Sequence, residues 1–376
     1  MKLAPDPQHL RWLMELTSLP SASGREGAVV RWVRDWAARR RSLRCEADAH
    51  GNLWVCLRHA QPTDRPTVIA AHMDHPAFVV TRVRSPRELE ADFRGGVDDG
   101  YFVGSRVLLH AAGATPRRGV VASMTPASRR TDGVPDRAVT VRFARPIAAQ
   151  PGDVITWDTG AARVLRGQLH TLACDNLAGV AAALAALASL GAGRERADVR
   201  VLLTRAEEVG FIGAIAACLS GSLPTQARVV VLENSRSFAE SPIGGGPILR
   251  VGDRTSTFDP ELTHRLGAAA QELAATDVGF TWQRKLMPGG TCEATAYQAL
   301  GHRAACLCLP LGRYHNMDTQ RQRIAAEHIA LSDFAGLVRW LVHAAPALAR
   351  DAAANPLADR MRSLHASRRP LLDEPL

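Results

Sequence analysis

Two glutamates stand side by side in the segment VLLTRAEEVGFIGA, which covers residues 201–214. Glu207 and Glu208 follow a short apolar run that predicts a buried strand. Neighbouring carboxylates in a poorly solvated place resist joint ionisation, and a divalent cation removes that difficulty. Adjacent side chains cannot both face one ion in the same way. We therefore predict that Glu208 is a metal ligand, and that Glu207 faces a bound water and takes its proton as general base.

Other side chains that could bind metal stand at the ends of predicted elements. His72 comes after the run VIAA, and Glu233 comes after VVVL. His315 stands a few residues after CLCLP, and Asp175 opens a long helical segment. Each has a commoner explanation when taken singly, such as a helix N-cap for Asp175 or a hydrogen-bonded loop histidine for His315. Ligands of open α/β sheets bind beyond the carboxyl ends of the strands, so these positions are expected to converge on one metal centre.

Two histidines and three carboxylates fit two ions. We assign one ion to His72 and Glu233, the other to Glu208 and His315, and the bridging position to Asp175. Imidazole and carboxylate ligands without a CxxC pair suit zinc, with cobalt or manganese as alternatives. A bridging carboxylate would hold the two metals roughly 3.5–4 Å apart, as in two-metal hydrolases.

Asp74 completes the predicted catalytic set together with Glu207. It lies two residues from His72 and therefore on the same side of a strand. Its carboxylate is expected to accept the second imidazole N–H and so to fix the tautomer of the ligand. Gly210 and Gly213 either let the backbone pass close to the site or form an ordinary turn and helix contact.

The elements that must position these residues follow from hydrophobic periodicity. Helices are predicted at 8–18, 24–41, 175–190, 261–274, 291–300 and 331–346, and strands at 51–59, 66–74, 198–204, 228–233 and 304–310. Between 77 and 166, short β-like pieces are separated by Gly, Pro and Asp turns, which indicates a small β-rich insertion. We expect an α/β fold with a mixed, mostly parallel sheet flanked by helices.

The predicted domain division follows from this pattern. Residues 1–76 and 167–350 would form the catalytic α/β domain, and residues 77–166 the β-rich insert. Residues 351–376 mix alanine, arginine and proline and would form a C-terminal tail.

Composition excludes several classes of function. The net charge is +9, but Lys2 and Lys285 are the only lysines and the arginines are dispersed, so we expect no nucleic-acid partner. No signal-peptide core and no apolar stretch long enough to span a bilayer is present, so we expect no membrane partner. The seven cysteines are scattered without a CxxC spacing, which fits a reducing cytoplasm.

The spaced motifs taken together resemble the M42 family of co-catalytic metallo-aminopeptidases, which belongs with the M20 and M28 di-zinc peptidases. The motifs are AAHMDHPAFVV, ACDNLAGVAAAL, AEEVGFIGA, ENSRSF, GGGPILRVGD, PGGTCEATA and LGRYHNMD, and the resemblance covers roughly residues 8–345. It implies that the β-rich insert is PDZ-like and serves dimerisation and substrate access. It also implies release of N-terminal residues from peptides, and a homo-oligomer, either a dimer or a larger assembly of dimers.

Three positions depart from the family pattern. His75 and then Pro76 follow Asp74 where the family usually has Glu-Ile-Gly, and Glu233 stands where many members have Asp. Glu293 follows Cys292 where an aspartate commonly follows Gly-Thr. Glu293 either replaces that aspartate or has an unrelated role. We take His75, Glu293 and Arg313 as candidate substrate contacts, with a surface position as the alternative for His75.

Three functions fit the sequence. The first is an aminopeptidase acting on peptides, and the second is an M20-type amidohydrolase that deacylates N-acyl amino acids or cleaves small amides. The site residues cannot separate these two, because both need the same activated water. The third is a non-catalytic binding protein on a peptidase scaffold. Such proteins typically lose the base or a ligand, whereas Glu207 and all five assigned ligands are present here.

Overall fold

The structure is a computed structural model that describes residues 3–125, 137–350 and 356–372. Its helices are, in chain order, α1 (Pro7–Leu16), α2 (Gly27–Ala38), α3 (Cys174–Ala192), α4 (Ile212–Leu219), α5 (Pro260–Thr276), α6 (Glu293–Ala299), α7 (Leu331–Ala349) and α8 (Pro356–Arg368). Its strands are β1 (Leu43–Ala47), β2 (Leu53–Leu57), β3 (Thr67–His72), β4 (Ala77–Ser85), β5 (Glu88–Arg94), β6 (Arg106–His110), β7 (Arg117–Thr125), β8 (Arg137–Phe143), β9 (Val154–Trp157), β10 (Arg163–Leu165), β11 (Gln168–Thr171), β12 (Val199–Thr204), β13 (Arg228–Arg236), β14 (Ile248–Gly252), β15 (Gln283–Leu286), β16 (Arg303–Leu311), β17 (Met317–Asp318), β18 (Arg323–Ile324) and β19 (Glu327–Ala330). Residues 351–355 and 373–376 of the predicted tail lie outside the described residues.

An eight-stranded sheet forms the centre of the fold, in the order β1-β2-β12-β3-β13-β16-β14-β15. The four strands β12, β3, β13 and β16 run parallel to one another. The pairs β1–β2, β2–β12 and β14–β16 are antiparallel, and β14–β15 is parallel. The predicted α/β fold with a mixed sheet is therefore confirmed, but antiparallel pairing on both flanks is more extensive than the sequence pattern indicated.

The parallel strands are apolar because helices cover both faces of the sheet. Every residue of β3 is buried, and β13 is buried from Arg228 to Ser235. Because these strands point the same way, their carboxyl ends emerge along one edge of the sheet. That edge receives His72 at the end of β3 and the Glu207–Glu208 turn directly after β12.

The long helix α3 is the central element of the core. It packs against β3, β13, α1 and α7, and nearly all of its residues are buried. Among the described residues it is also the one helix long and apolar enough to cross a membrane by length and composition alone, contrary to the expectation that no such stretch is present. Because 89% of the tested window is buried inside the fold, its apolar sequence is explained by core packing.

The β-rich region folds as a closed six-stranded barrel in the order β4-β5-β8-β7-β6-β9. The strand pieces predicted from the sequence at 78–83, 106–111, 119–124, 138–143 and 153–157 correspond to β4, β6, β7, β8 and β9, and β5 is an addition. In β5 the buried side chains of Leu89 and Phe93 alternate with Glu88 and Glu90, which are partly exposed. Because charged residues occupy every second position of β5, the sequence pattern did not indicate a strand there.

Four aromatic side chains fill the barrel. Trp157 packs edge-on against Phe78 at 4.7 Å between ring centroids and against Phe102 at 5.5 Å. Phe93 meets Phe78 and Phe102 at 4.8 Å in the same T-shaped arrangement. Edge-to-face pairs of this kind add to the free energy of burial.

A small antiparallel sheet of β10, β11 and β19 links the barrel to the core. Thr171, the last residue of β11, is paired with Glu327, the first residue of β19. Only two residues separate β11 from α3. This sheet was not predicted, because its strands have three or four residues each and carry no clear alternation.

The barrel core yields a stability prediction. The substitution Trp157→Ala removes a fully buried ring at the centre of the cluster, so we expect it to lower the free energy of unfolding by about 3–5 kcal/mol. Urea denaturation followed by circular dichroism measures this loss. The control Leu219→Ala truncates a side chain that is 73% exposed and should change stability by less than about 0.5 kcal/mol. An unchanged unfolding midpoint for Trp157→Ala would contradict the assignment of Trp157 to the barrel core.

Candidate metal centre

The five predicted ligands meet at the carboxyl edge of the parallel strands. Asp175 lies at the centre of the group. Its Oδ1 atom is 3.5 Å from Nε2 of His72, and its Oδ2 atom is 3.5 Å from Nε2 of His315. One carboxylate therefore faces two imidazoles with separate oxygens, which is the arrangement expected of a bridging ligand.

Two further carboxylates complete a triad on each side of Asp175. Oε2 of Glu233 is 3.8 Å from Nε2 of His72, and Oε1 of Glu208 is 3.3 Å from Nε2 of His315. In each triad one nitrogen or oxygen atom per residue lies within 4.8 Å of the others. Glu207 also approaches His72, at 3.8 Å between Oε2 and Nε2, so it borders the first triad.

The donor set fits divalent cations. Oδ1 of Asp175 and Oε1 of Glu233 are buried without a hydrogen-bond partner in the structure, although buried polar atoms are normally paired. Nitrogen and oxygen donors in two triads around a shared carboxylate suit zinc and similar first-row ions. The residues present therefore fit the two-ion centre that their spacing predicts.

Electrostatics leads to the same result. Burial raises the pKa of Glu207 well above its usual value, and the neighbouring charge of Glu233 raises it further. Burial would lower the pKa of His72, but the charge of Glu207 and contacts with Asp175 hold it well above its usual value. The pKa of His315 is also held well above its usual value, mainly by the charge of Glu208. The cluster thus attracts positive charge, which divalent ions would supply.

Asp74 holds the backbone of the glutamate pair. Its Oδ1 accepts the N–H of Glu207 at 3.0 Å, and its Oδ2 accepts the N–H of Glu208 at 3.1 Å and the hydroxyl of Ser23 at 2.6 Å. Nδ1 of His72 is 3.1 Å from the Asp74 carbonyl oxygen and 3.5 Å from its carboxylate. The shorter contact to the imidazole is therefore the backbone carbonyl, and the carboxylate serves chiefly the turn.

The turn after β12 is shaped by close backbone contacts. Glu26 accepts the N–H of Ala206 at 3.0 Å, and Ala206 has a left-handed φ of 53°. A Cβ atom on Gly213 would lie 2.5 Å from backbone atoms of Arg205, so glycine is required there. A Cβ atom on Gly210 would meet nothing nearer than Ile212, at 4.0 Å, but Gly210 has a φ of 116°, which favours glycine. Glycine is therefore needed at position 213 for close packing and at position 210 for its backbone conformation.

The predicted substrate contacts lie elsewhere. His75 is 2% exposed and does not line the cleft, because its ring nitrogens contact the carbonyl oxygen of Asp175 and Oδ1 of Asn316. The alternative of a surface position for His75 is also wrong. The interpretation of His75 as a pocket residue is corrected to a buried contact beneath the centre.

Glu293 and Arg313 are placed away from the cleft as well. Glu293 is the first residue of α6 and is completely buried, and burial raises the pKa of its carboxyl to about 8. Nε of Arg313 is 3.4 Å from Oδ2 of Asp318, and its guanidinium faces the carbonyl of Ala326. Neither side chain lines the cleft next to the metal centre.

The cleft beside the metal centre has a volume of about 560 Å³. Aromatic and apolar side chains line part of its wall, including Phe211, Phe238 and Tyr314. Arg250 and Arg254 line another part, and sequence reasoning did not identify them. Arg250 stands in GGGPILRVGD, where a charged residue inside an apolar strand was the available signal.

Arg250 is a buried cation with spare hydrogen-bonding capacity. It is 5% exposed, its guanidinium donates to Gly290 O at 3.1 Å and to Ser235 Oγ at 3.3 Å, and its Nε has no partner in the structure. Its nearest carboxylate oxygen is Oδ2 of Asp253, at 3.8 Å. Asp253 already accepts the N–H of Cys292. The guanidinium therefore keeps a buried N–H that it could donate to another group.

Solved structures share this fold. A dodecamer described as PhTET1-12s is 21% identical, with a TM-score of 0.72, and the match covers 89% of this chain and 98% of that one. The TET1 peptidase of Pyrococcus horikoshii, which can assemble into a tetrahedron or a large octahedral shell, is 20% identical with a TM-score of 0.73 over 90% and 99% of the two chains. Aminopeptidase APDkam598 of Desulfurococcus kamchatkensis is 20% identical with a TM-score of 0.73 over 92% and 98%.

The family follows from a sequence comparison. The model of the M42 glutamyl aminopeptidase family matches residues 51–327, which is most of the chain. This match confirms the resemblance drawn from the spaced motifs and sets aside a non-catalytic scaffold protein. The chain belongs to the M42 glutamyl aminopeptidase family and is a metal-dependent aminopeptidase.

Proposed function

We propose that the chain is a two-metal aminopeptidase in which His72 and Glu233 would hold one ion, Glu208 and His315 would hold the other, and Asp175 would contribute a ligand to both. The observation that carries this proposal is the position of Asp175, whose two oxygens face two histidines at equal distance. When bound, the ions would lower the pKa of the attacking water and polarise the scissile carbonyl. Zinc is the proposed metal, with cobalt or manganese as alternatives.

Glu207 is the proposed general base. Its carboxylate lines the cleft beside His72 and has no assigned ligand role. It would take a proton from the water as the water oxygen attacks the scissile carbonyl carbon. It would then deliver that proton to the amide nitrogen as the C–N bond breaks, so that the free amino acid and the shortened peptide leave. Asp74 supports this step by holding the N–H of Glu207.

The proposed substrate carries a carboxylate on its N-terminal residue. Arg250 offers a buried guanidinium on the cleft wall, and Arg254 adds a second positive charge nearer to solvent. A planar guanidinium recognises a carboxylate through paired, charge-assisted hydrogen bonds. An N-acyl amino acid also carries a carboxylate, so Arg250 by itself would fit a deacylase substrate as well.

We also propose the domain division and the assembly. The division is a catalytic domain of residues 1–76 and 167–350 and a PDZ-like insert of residues 77–166 that serves dimerisation and substrate access. The dodecamer, tetrahedron and octahedral shell described for the similar structures support a homo-oligomer here. All seven cysteines are free thiols, which supports a cytoplasmic location.

The substitution Glu207→Gln tests the proposed base. It keeps the size of the side chain and removes the proton acceptor, so we expect two bound ions per chain and a loss of kcat of at least about 100-fold. Peptide hydrolysis and metal analysis of the same sample give both values. Glu272→Gln, which changes a carboxylate that is 70% exposed, is the matched control and should keep full activity. A fully active Glu207→Gln enzyme would show that another group accepts the proton.

The substitution Arg250→Met tests the substrate class. We expect kcat/KM for a peptide with N-terminal glutamate to fall roughly 10- to 100-fold, and kcat/KM for the same peptide with N-terminal leucine to stay nearly constant, because only the first loses a charge-assisted hydrogen bond. Arg254→Met, at an exposed position, should have a smaller effect. Equal losses on both peptides would reject the proposed role of Arg250. Turnover of N-acetylglutamate without turnover of any peptide would favour the deacylase.

A further inference from the structure

The turn that carries His315 has an unfavourable backbone conformation. Arg313, His315 and Asn316 have φ values of 56°, 53° and 64°, in the left-handed region that residues other than glycine seldom occupy. Such residues persist where the surrounding structure holds them. Contacts from outside the turn must therefore keep His315 in place beside Asp175.

Glu327 supplies two of these contacts. Its Oε1 accepts the backbone N–H of His315 at 2.8 Å, and its Oε2 accepts the backbone N–H of Asp175 at 3.0 Å. One carboxylate therefore joins the residue in the bridging position to the histidine of the second triad. The side chain is completely buried and does not line the cleft.

The backbone of Glu327 is itself firmly placed. Glu327 begins β19 and is paired with Thr171 at the end of β11, which leads within two residues into α3. The side chain thus starts from a strand that is tied to the segment carrying Asp175. Because the same side chain also contacts the N–H of His315, it fixes the turn that carries His315 relative to the segment that carries Asp175.

Neighbouring contacts serve other atoms. Asn316 donates its side-chain N–H to Leu172 O at 2.8 Å, and the ring of His75 faces both the Asp175 carbonyl and Oδ1 of Asn316. Neither contact takes up the N–H groups of the two ligand residues. Among the described residues, Glu327 is the side chain that accepts both.

We propose that Glu327 is a positioning residue that holds Asp175 and His315 in the geometry needed for the ion in the second triad. This inference rests on the proposed two-metal function. Glu327 would touch neither ion nor substrate and would act through the two backbones. Two convergent N–H donors need two acceptor oxygens, which a glutamate supplies and a glutamine does not.

The test measures metal binding directly. Full-length protein is stripped with a chelator and titrated with Co²⁺, and both the heat of binding and the visible absorption of the bound ion are recorded. The variants are Glu327→Gln, Glu327→Asp and, to identify the step that belongs to the second triad, His315→Ala. Asp333→Asn is the matched control. Asp333 is also a completely buried carboxylate that accepts two backbone N–H groups, those of Gly244 and Gly246, and it does not line the cleft.

We expect Glu327→Gln to weaken one of two binding steps about 10- to 100-fold, a range typical of residues that support metal ligands. The weakened step should be the one that His315→Ala removes, and the other step, which shares Asp175 but not His315, should lose less affinity. Asp333→Asn should bind both ions like the wild type, even if it unfolds at a lower temperature. Glu327→Asp should show the same selective loss, because the shorter side chain cannot reach both N–H groups, and it provides the test if Glu327→Gln does not fold.

Two results would overturn the inference. Unchanged affinities in both steps for folded Glu327→Gln and Glu327→Asp would show that Glu327 does not position the ligands, while the two-metal function would stand. A wild-type protein that binds fewer than two Co²⁺ ions would instead reject the proposed function, and the inference with it.

Discussion

Mutual repulsion among buried carboxylates is the constraint on which the rest of the structure depends. Asp175, Glu207, Glu208 and Glu233 share one cleft, and burial raises the pKa of Glu207 and Glu233. Burial would also raise the pKa of Asp175, but contacts with His315 and His72 hold it below its usual value. Such a group is stable at neutral pH when positive charge is placed among its members. Two divalent cations supply that charge and also activate water, so the same feature accounts for stability and chemistry.

The scaffold brings these groups together by a simple topological rule. Four parallel strands end along one edge of the sheet: His72 ends β3, the Glu207–Glu208 turn follows β12, His315 follows β16, and Glu233 lies three residues before the end of β13. The loops beyond the strands are held by buried carboxylates that accept backbone N–H groups. Asp74 holds the Glu207–Glu208 turn, Glu26 holds Ala206, and Glu327 joins Asp175 to His315. The centre therefore depends on a second layer of acids that contact backbone N–H groups of the site.

Much of this centre could be predicted from the sequence, because its ligands follow long apolar runs whose ends are easy to recognise. The spacing of His72 and Asp74 and the adjacent Glu207 and Glu208 also limited the possible roles. Strands β2, β3, β12, β13 and β16 and the long core helices were predicted for the same reason, since burial leaves a strong apolar signal. Nine strands were not predicted, because they are short or carry charged residues that interrupt the apolar pattern: β1, β5, β10, β11, β14, β15, β17, β18 and β19.

The substrate contacts could not be predicted, because the direction of a loop side chain is decided by tertiary packing. His75 turns inward to Asn316, and Arg313 turns to Asp318, although both stand near ligands in the sequence. Arg250 reaches the cleft from a strand that pairs antiparallel with β16, a pairing that no local pattern indicated. Glu327 was missed for a similar reason, since its partners are backbone N–H groups distant in the sequence.

The most direct test of the account is a crystal structure of the zinc-loaded protein with diffraction data collected at the zinc absorption edge. We expect two anomalous peaks, one contacting His72 and Glu233 and the other contacting Glu208 and His315, with Asp175 in contact with both. A single peak, or two peaks that do not share Asp175, would contradict it.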